Sequence, residues 1–167
     1  METKIYSIFP ACGKTWLYEH QEDYDLKILD SDSSNFSWTY TNTDENGNTI
    51  RGVRKIRNPD FPNNYIKHIK ENIGKCDCIF VSSHKAVREA LDAEGIDFTI
   101  VYPMPLCKAE WIGRCFIREK NGESGCGAEI MYNNFDQWIL ECAETGIDHK
   151  EVVLLPSQYL SEYFERW

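Results

Sequence analysis

The sequence predicts an α/β fold: three layers, α/β/α, around a mostly parallel sheet of five strands. Three observations carry that prediction. Short β-branched and aromatic runs alternate with stretches of helical periodicity along all 167 residues, the pattern of right-handed βαβ crossovers. The third run, Cys76 to Val81, is nearly all apolar after Asp77, the mark of a strand covered on both faces. Residues that end strands or break helices, such as Pro10, Pro59 and Pro103, fall between the runs rather than inside them.

A chain of this length is most simply one domain with a full core, and no internal repeat is visible. Hydrophobic residues make up 42% and aromatics 13%, too many for a disordered chain. The net charge of -9 and a pI of about 4.9 argue against a sequence-independent grip on duplex DNA, which rests on many Lys and Arg contacts to phosphates. Within that acidic background, residues 51–57 form a local basic run containing Arg51, Arg54, Lys55 and Arg57. There is neither a signal-peptide pattern nor an apolar run of membrane length, so a cytoplasmic setting without a membrane is expected, with the seven cysteines reduced. Cys76 and Cys78 have no second pair at zinc-ligand spacing, and most of the thiols are expected to be small buried hydrophobes.

The first strand holds Ile5, Tyr6, Ile8 and Phe9 and stops at Pro10, which has no amide for a ladder. Lys14 to His20 begins a helix packed by Trp16 and Leu17. Between them lie Ala11, Cys12, Gly13, Lys14 and Thr15. Gly13-Lys14-Thr15 is the tail of G-x-x-x-x-G-K-[ST], in which loop amides cradle phosphates, the lysine reaches their outer oxygens and the hydroxyl holds magnesium. Ile8 stands at the opening glycine position. The same three residues also suit a plain helix-initiating turn, with Thr15 as cap and Lys14 solvated.

Residues 21–24 are a polar break, and Leu26 to Leu29 is the second strand. Asp30 and Asp32 follow its carboxyl end, where ligands bind in open α/β sheets. Two apart in extended backbone, they share one side and can meet a metal ion or a sugar hydroxyl. An Asp/Ser turn that caps a helix reads from the same residues. Phe36, Trp38 and Tyr40 alternate as in a half-buried strand, with the core as their expected place, and Asn46-Gly47 marks the turn of a hairpin or surface insertion near 36–57. Asn63 or Asn64 starts a helix with Tyr65, Ile66, Ile69 and Ile73 at helical spacing, closed by Gly74.

The third strand ends in Ser82-Ser83-His84; His84 reads either as a ligand contact or as the cap region of the next helix. That helix, Lys85 to Ala93, is amphipathic through Val87, Ala90 and Leu91, and Arg88 on it faces phosphate or water. Phe98 to Tyr102 is the fourth strand. Lys108 to Glu119 is helical and places Arg114 and Arg118 four apart on one face. Guanidinium groups so placed can clamp transferring oxygens, or pair with Glu110 and Glu119 on a solvated face. Three glycines in residues 121–127 fit a flexible lid, near 114–130, or its hinge. Ile130 to Cys142 is a further helix packing Ile130, Phe135, Trp138 and Ile139. Glu151 to Leu155 is the fifth strand, and Ser157 to Trp167 a closing helix with Leu160, Tyr163 and Phe164 inward.

The order of these motifs resembles the nucleoside and nucleotide kinase branch of the P-loop NTPases, in outline over most of the chain. The overall look is closest to small P-loop kinase-like proteins of phages and their bacterial hosts, and Gly13-Lys14-Thr15 is the specific part. The resemblance implies that Ala11, Cys12, Gly13, Lys14 and Thr15 hold the β- and γ-phosphates of ATP, with the Thr15 hydroxyl on Mg²⁺. It implies that Arg114 and Arg118 are lid arginines acting on the moving phosphoryl group. Asp30 and Asp32 fall on the acceptor side, with Asp32, His84 and Arg88 as substrate contacts. The chain departs from the family's pattern at Ile8 and Ala11, where glycines are usual, and has no acid at Ser82 or Ser83 to serve as second metal ligand. The implied activity is ATP-dependent phosphotransfer to a nucleoside, a nucleotide or a related small acceptor. A kinase of a modified base in DNA is a narrower version, disfavoured by the acidic charge and kept open by the basic run. A nucleotide-binding module without turnover, and an α/β domain that binds no nucleotide, are the rival readings.

Overall fold

The computed structural model describes residues 2–39, 46, 56–123 and 125–164. In chain order its elements are β1 (Lys4–Ile8), α1 (Lys14–Glu19), β2 (Ile28–Asp30), α2 (Ser34–Ser37), β3 (Trp38–Thr39), β4 (Ile56–Arg57), α3 (Asn63–Asn72), β5 (Cys78–Ser82), α4 (Lys85–Ala93), β6 (Thr99–Pro103), α5 (Lys108–Lys120), α6 (Ala128–Ala143) and β7 (Lys150–Leu154). Five strands make one sheet in the order β2-β5-β1-β6-β7, and every pairing in it is parallel. Helices flank it in a three-layer α/β/α arrangement, as the alternation of runs predicts.

β1 is central in the sheet order, and Ile5 to Ile8 are all buried, as are Ile79 to Val81 of the neighbouring β5. The registers Tyr6↔Phe80 and Tyr6↔Thr99 fix β1 between β5 and β6. From β1 the chain crosses toward β2, beyond β5, whereas from β6 it moves the other way to β7. The carboxyl ends of β1 and β6 therefore border a crevice at the point where the strand order reverses.

Helix seams follow the 3.6-residue period. Val87 and Leu91 of α4 are buried, and so are Met131, Phe135, Ile139 and Cys142 of α6. Phe9 at the end of β1 packs edge-on against Phe135 and Trp138, with ring centroids 5.7 and 6.1 Å apart. Tyr6 packs against Tyr163 and Phe164 of the chain's last described segment. No helix among the described residues is long and apolar enough to cross a membrane.

Several expectations shift. The second strand begins at Ile28, not Leu26, because Leu26 N closes a turn on Gln21 O (3.1 Å) and the Gln21 side chain takes Ile28 N (2.7 Å). Phe36 and Trp38 do not share one strand: Phe36 sits in the short helix α2, its ring 5.1 Å from that of Tyr65 and 4.8 Å from that of His68, while Trp38 starts β3. Ile73 and Ile130 are exposed, the first because it lies beyond the end of α3, the second because the α6 seam runs one residue later, through Met131. Instead of a closing helix from Ser157 there is a single 3₁₀ turn, Leu160–Tyr163, after Ser157 at φ 67°. Tyr40, Gly47 and all but the last two residues of the basic run lie outside the described residues. At the feet of that stretch, β3 and β4 pair antiparallel, with Trp38 opposite Arg57.

Candidate functional site

The site forms where β1 runs out. Phe9 N donates to Val101 O (2.8 Å) and so keeps the chain tied to β6 for one residue past the strand. From Pro10 the chain turns, with Ala11 at φ 61° and Gly13 at φ 88°, before Lys14 opens α1. Glycine takes the left-handed conformation freely, but an alanine there costs roughly 1–2 kcal/mol, so its surroundings must hold it.

They hold the loop by its carbonyls. Pro10 O accepts from Trp111 Nε1 (3.0 Å), Ala11 O from Arg114 Nη1 (3.2 Å) and Cys12 O from Leu160 N (2.8 Å). With three successive carbonyls bound on the protein side, the amides of Ala11, Cys12, Gly13, Lys14 and Thr15 have no acceptor among the described residues. Successive free N–H groups in a turn with left-handed residues make a concave nest that attracts anions. The first amides of α1 continue it.

Arg114 is the hub of the wall behind this turn. Its guanidinium lies between the rings of Trp111 and Tyr159, 3.8 Å from each centroid. Besides Ala11 O it donates to Gln158 O (2.8 Å) and to Glu110 Oε1 (2.5 Å), and Glu110 in turn accepts from Ser157 N at 3.0 and 3.1 Å. Helix α5 thus binds the loop and residues 157–160 into one body. Arg118 turns elsewhere, pairing with Glu123 at 3.6 Å and lying against Gly125.

Lys14 and Asp30 are brought together. The ammonium is ion-paired with the carboxylate at the carboxyl end of β2. Asp32 does not join them, because the backbone leaves the extended form after Ser31, whose amide still bonds Phe80 O (3.0 Å). Its carboxylate accepts from Ser34 N (2.9 Å) and Ser34 Oγ (2.7 Å), so the turn-forming reading describes Asp32. Behind the same bend Tyr65 donates its hydroxyl to Ser31 O (2.6 Å).

His84 Nδ1 is 3.0 Å from Ser82 Oγ at the end of β5. Partial desolvation, then the charges of Arg57 and Arg88, hold its pKa below the usual value and favour the neutral ring. Arg57 itself lies over Trp38, 4.2 Å from the ring centroid. Arg88 corrects an expectation, for it faces neither phosphate nor water. It is buried at 1% exposure and donates to Ser83 O and to Glu141 O (2.6 Å), pinning α4 to α6. Its spacing on an amphipathic helix could not distinguish a solvated arginine from one that crosses the seam.

Cys12 is buried, and burial pushes its thiol well above the ordinary range, so the residue offers the site its amide rather than its sulfur. Thr15 is exposed in the first turn of α1, the residue after Lys14. The residues present therefore fit a polyphosphate with its magnesium: free amides and an ammonium for the anion, a hydroxyl for the cation. The pairing of Arg114 with Glu110 that the helical spacing offered is present, but sequence reasoning missed Trp111, Gln158 and Tyr159, since the loop they serve lies a hundred or more residues away in the chain. Compared with protein-family models, curated proteins and solved structures, the chain finds no match in any of the three.

Proposed function

We propose that this protein is an ATP-dependent phosphotransferase acting on a nucleoside, a nucleotide or a related small acceptor. The observation that carries the reading is the turn at residues 10–15, whose carbonyls are bound behind it while five successive amides have no acceptor among the described residues. A strand, that turn and a helix opening on Lys14 and Thr15 together suit the β- and γ-phosphates of ATP and one Mg²⁺. The cofactor supplies the phosphoryl group, and the chain's part is positioning and charge neutralisation. Lys14 leaves its ion pair with Asp30 to reach phosphate oxygens. Asp30, released at the carboxyl end of β2, then faces the acceptor and can take a hydroxyl proton.

A second reading, a nucleotide-binding module without turnover, is supported by the engagement of Arg114, whose guanidinium is spent on Ala11 O, Gln158 O and Glu110. A nucleotide-dependent partner would then read the state of the loop. Acceptor-dependent release of ADP separates the two, since only the enzyme couples release to an acceptor.

The experiment is a thermal-shift titration with Mg-ATP followed by an ADP-release screen over nucleosides, nucleoside monophosphates and short DNAs, including DNA with hydroxymethylated bases. A ligand that binds only the native state must raise the melting temperature. Lys14→Ala is expected to abolish both the shift and the turnover while leaving the unliganded melting temperature within a few degrees. Full activity in that variant would overturn the phosphate-loop assignment.

A further inference from the structure

A phosphotransferase accepts on a hydroxyl or on a phosphate, and the two acceptors need opposite surroundings. A phosphate acceptor is a second anion beside the polyphosphate, and holding it takes guanidinium or ammonium groups that can reach it. Four arginines lie among the described residues, and each is engaged elsewhere. Arg88 is 1% exposed and donates to Ser83 O and to Glu141 O (2.6 Å), which fixes it in the seam between α4 and α6. Arg114 is held between two rings behind the loop, and Arg118 pairs with Glu123 at 3.6 Å. Arg57 lies over Trp38 in the separate β3–β4 pair. Lys85, the first residue of α4, pairs with Glu89 one turn on, at 3.7 Å.

The ground beyond β2 and β5 carries the other sign. Asp30 stands level with Phe80 in the sheet register, and Ser31 N donates to Phe80 O (3.0 Å), so the carboxyl ends of the two strands lie side by side. The Asp30 carboxylate is in contact with the Lys14 ammonium, the group that reaches phosphate oxygens in the nucleotide reading. Asp32 adds a second, exposed carboxylate two residues on. At the end of β5 stand Ser82, its Oγ 3.0 Å from His84 Nδ1, and the His84 ring, whose neutral form is favoured by desolvation and by neighbouring arginines. Two carboxylates beside a neutral ring repel a second phosphate, whereas a carboxylate accepts a hydrogen bond from a hydroxyl.

We propose that the accepting atom is a hydroxyl oxygen, as on a nucleoside, and that the product is a phosphomonoester rather than a phosphoanhydride. This inference rests on the nucleotide reading of the loop and names the acceptor within it. The hydroxyl oxygen attacks the γ-phosphorus of ATP and forms the new O–P bond. The bond from that phosphorus to the β–γ bridging oxygen breaks, and ADP leaves with its electron pair. The hydroxyl proton passes to the Asp30 carboxylate, so atoms and charge balance. A nucleoside monophosphate is then a substrate only through a hydroxyl of its sugar or base.

The test incubates the full chain with Mg-ATP and a panel of nucleosides and nucleoside monophosphates, separates the products by ion exchange and reads them by phosphorus NMR. Coupling of the transferred phosphorus to carbon-bound protons marks a monoester, and coupling to a second phosphorus marks an anhydride. The expected result is a monoester, with one ADP released for each. Asp30→Asn is expected to cut that turnover about 10²- to 10⁴-fold while keeping the thermal shift with Mg-ATP, which a loss of fold would abolish. A thermal shift accompanied by an anhydride product, by no monoester from any hydroxyl in the panel, or by full turnover in Asp30→Asn overturns this inference and leaves the phosphate loop standing. Absence of any shift with Mg-ATP overturns the phosphate loop, and the choice of acceptor falls with it.

Discussion

Gly13 shows how much one residue carries. Its φ of 88° suits glycine, and a side chain there would meet Tyr159 Cδ1 at 3.0 Å. Two separate costs are therefore expected from Gly13→Ala: roughly 1–2 kcal/mol for the left-handed backbone and a further amount for the collision with the ring. Urea unfolding of Gly13→Ala, with and without Tyr159→Ala, separates them. The double variant should recover only the collision part, in excess of whatever Tyr159→Ala costs alone. Equal losses in both backgrounds would mean the ring moves away freely. Gly13 was legible in the sequence because, with Lys14 and Thr15, it forms the tail of a phosphate-binding pattern, although Ile8 stands where that pattern opens on glycine. Tyr159 was not, because nothing near it in the chain records which loop it covers.

At the scale of elements, α5 acts as a bracket more than as a surface helix. Trp111, Arg114 and Glu110 bind Pro10 O, Ala11 O, Gln158 O and Ser157 N, so one helical turn holds both the loop after β1 and the segment after β7. Lysine cannot replace that arginine, since the fork of donors and the flat stack between two rings are properties of guanidinium. Arg114→Lys is expected to cost about 2 kcal/mol of stability, given two or more charge-assisted bonds lost and carbonyls left short of donors. Chemical denaturation measures it, and an unchanged midpoint would refute the bracket. The helix itself was legible from periodicity, running within one residue of its observed end. The direction of its arginines was not, because spacing on one face says which side chains are neighbours and not which distant backbone they meet.

For the whole molecule, the sheet order sets both stability and placement. β1, β5 and β6 form its centre with nearly all residues buried, while β7 at one edge leaves Val153 and Glu151 exposed, and β2 at the other is three residues long. Amides of β1 and β5 are expected to exchange with deuterium only through global unfolding, and those on the open edge of β7 orders of magnitude sooner. Native-state hydrogen exchange checks this. Protection of β7 equal to that of β1 would mean its edge is covered in solution. The same order puts the turn at residues 10–15 at the reversal point of the sheet, between the ends of β5 and β6, with Asp30 one strand further out at the end of β2.

Local chemistry was enough for the sequence alone to determine the alternation of strands and helices, the buried central strand and the position of the Gly13-Lys14-Thr15 turn. Each depends on residues within a few positions of one another, through side-chain period, proline's missing amide and glycine's free φ. Only the tertiary structure decided that the loop's carbonyls are bound by the protein while its amides find no acceptor among the described residues. It likewise decided that Lys14 pairs with Asp30 rather than Asp32, that Arg88 is buried and that Arg114 backs the loop. Those outcomes rest on hydrogen bonds between groups sixteen to about 150 residues apart, and such bonds form only once the packed core has brought the segments together.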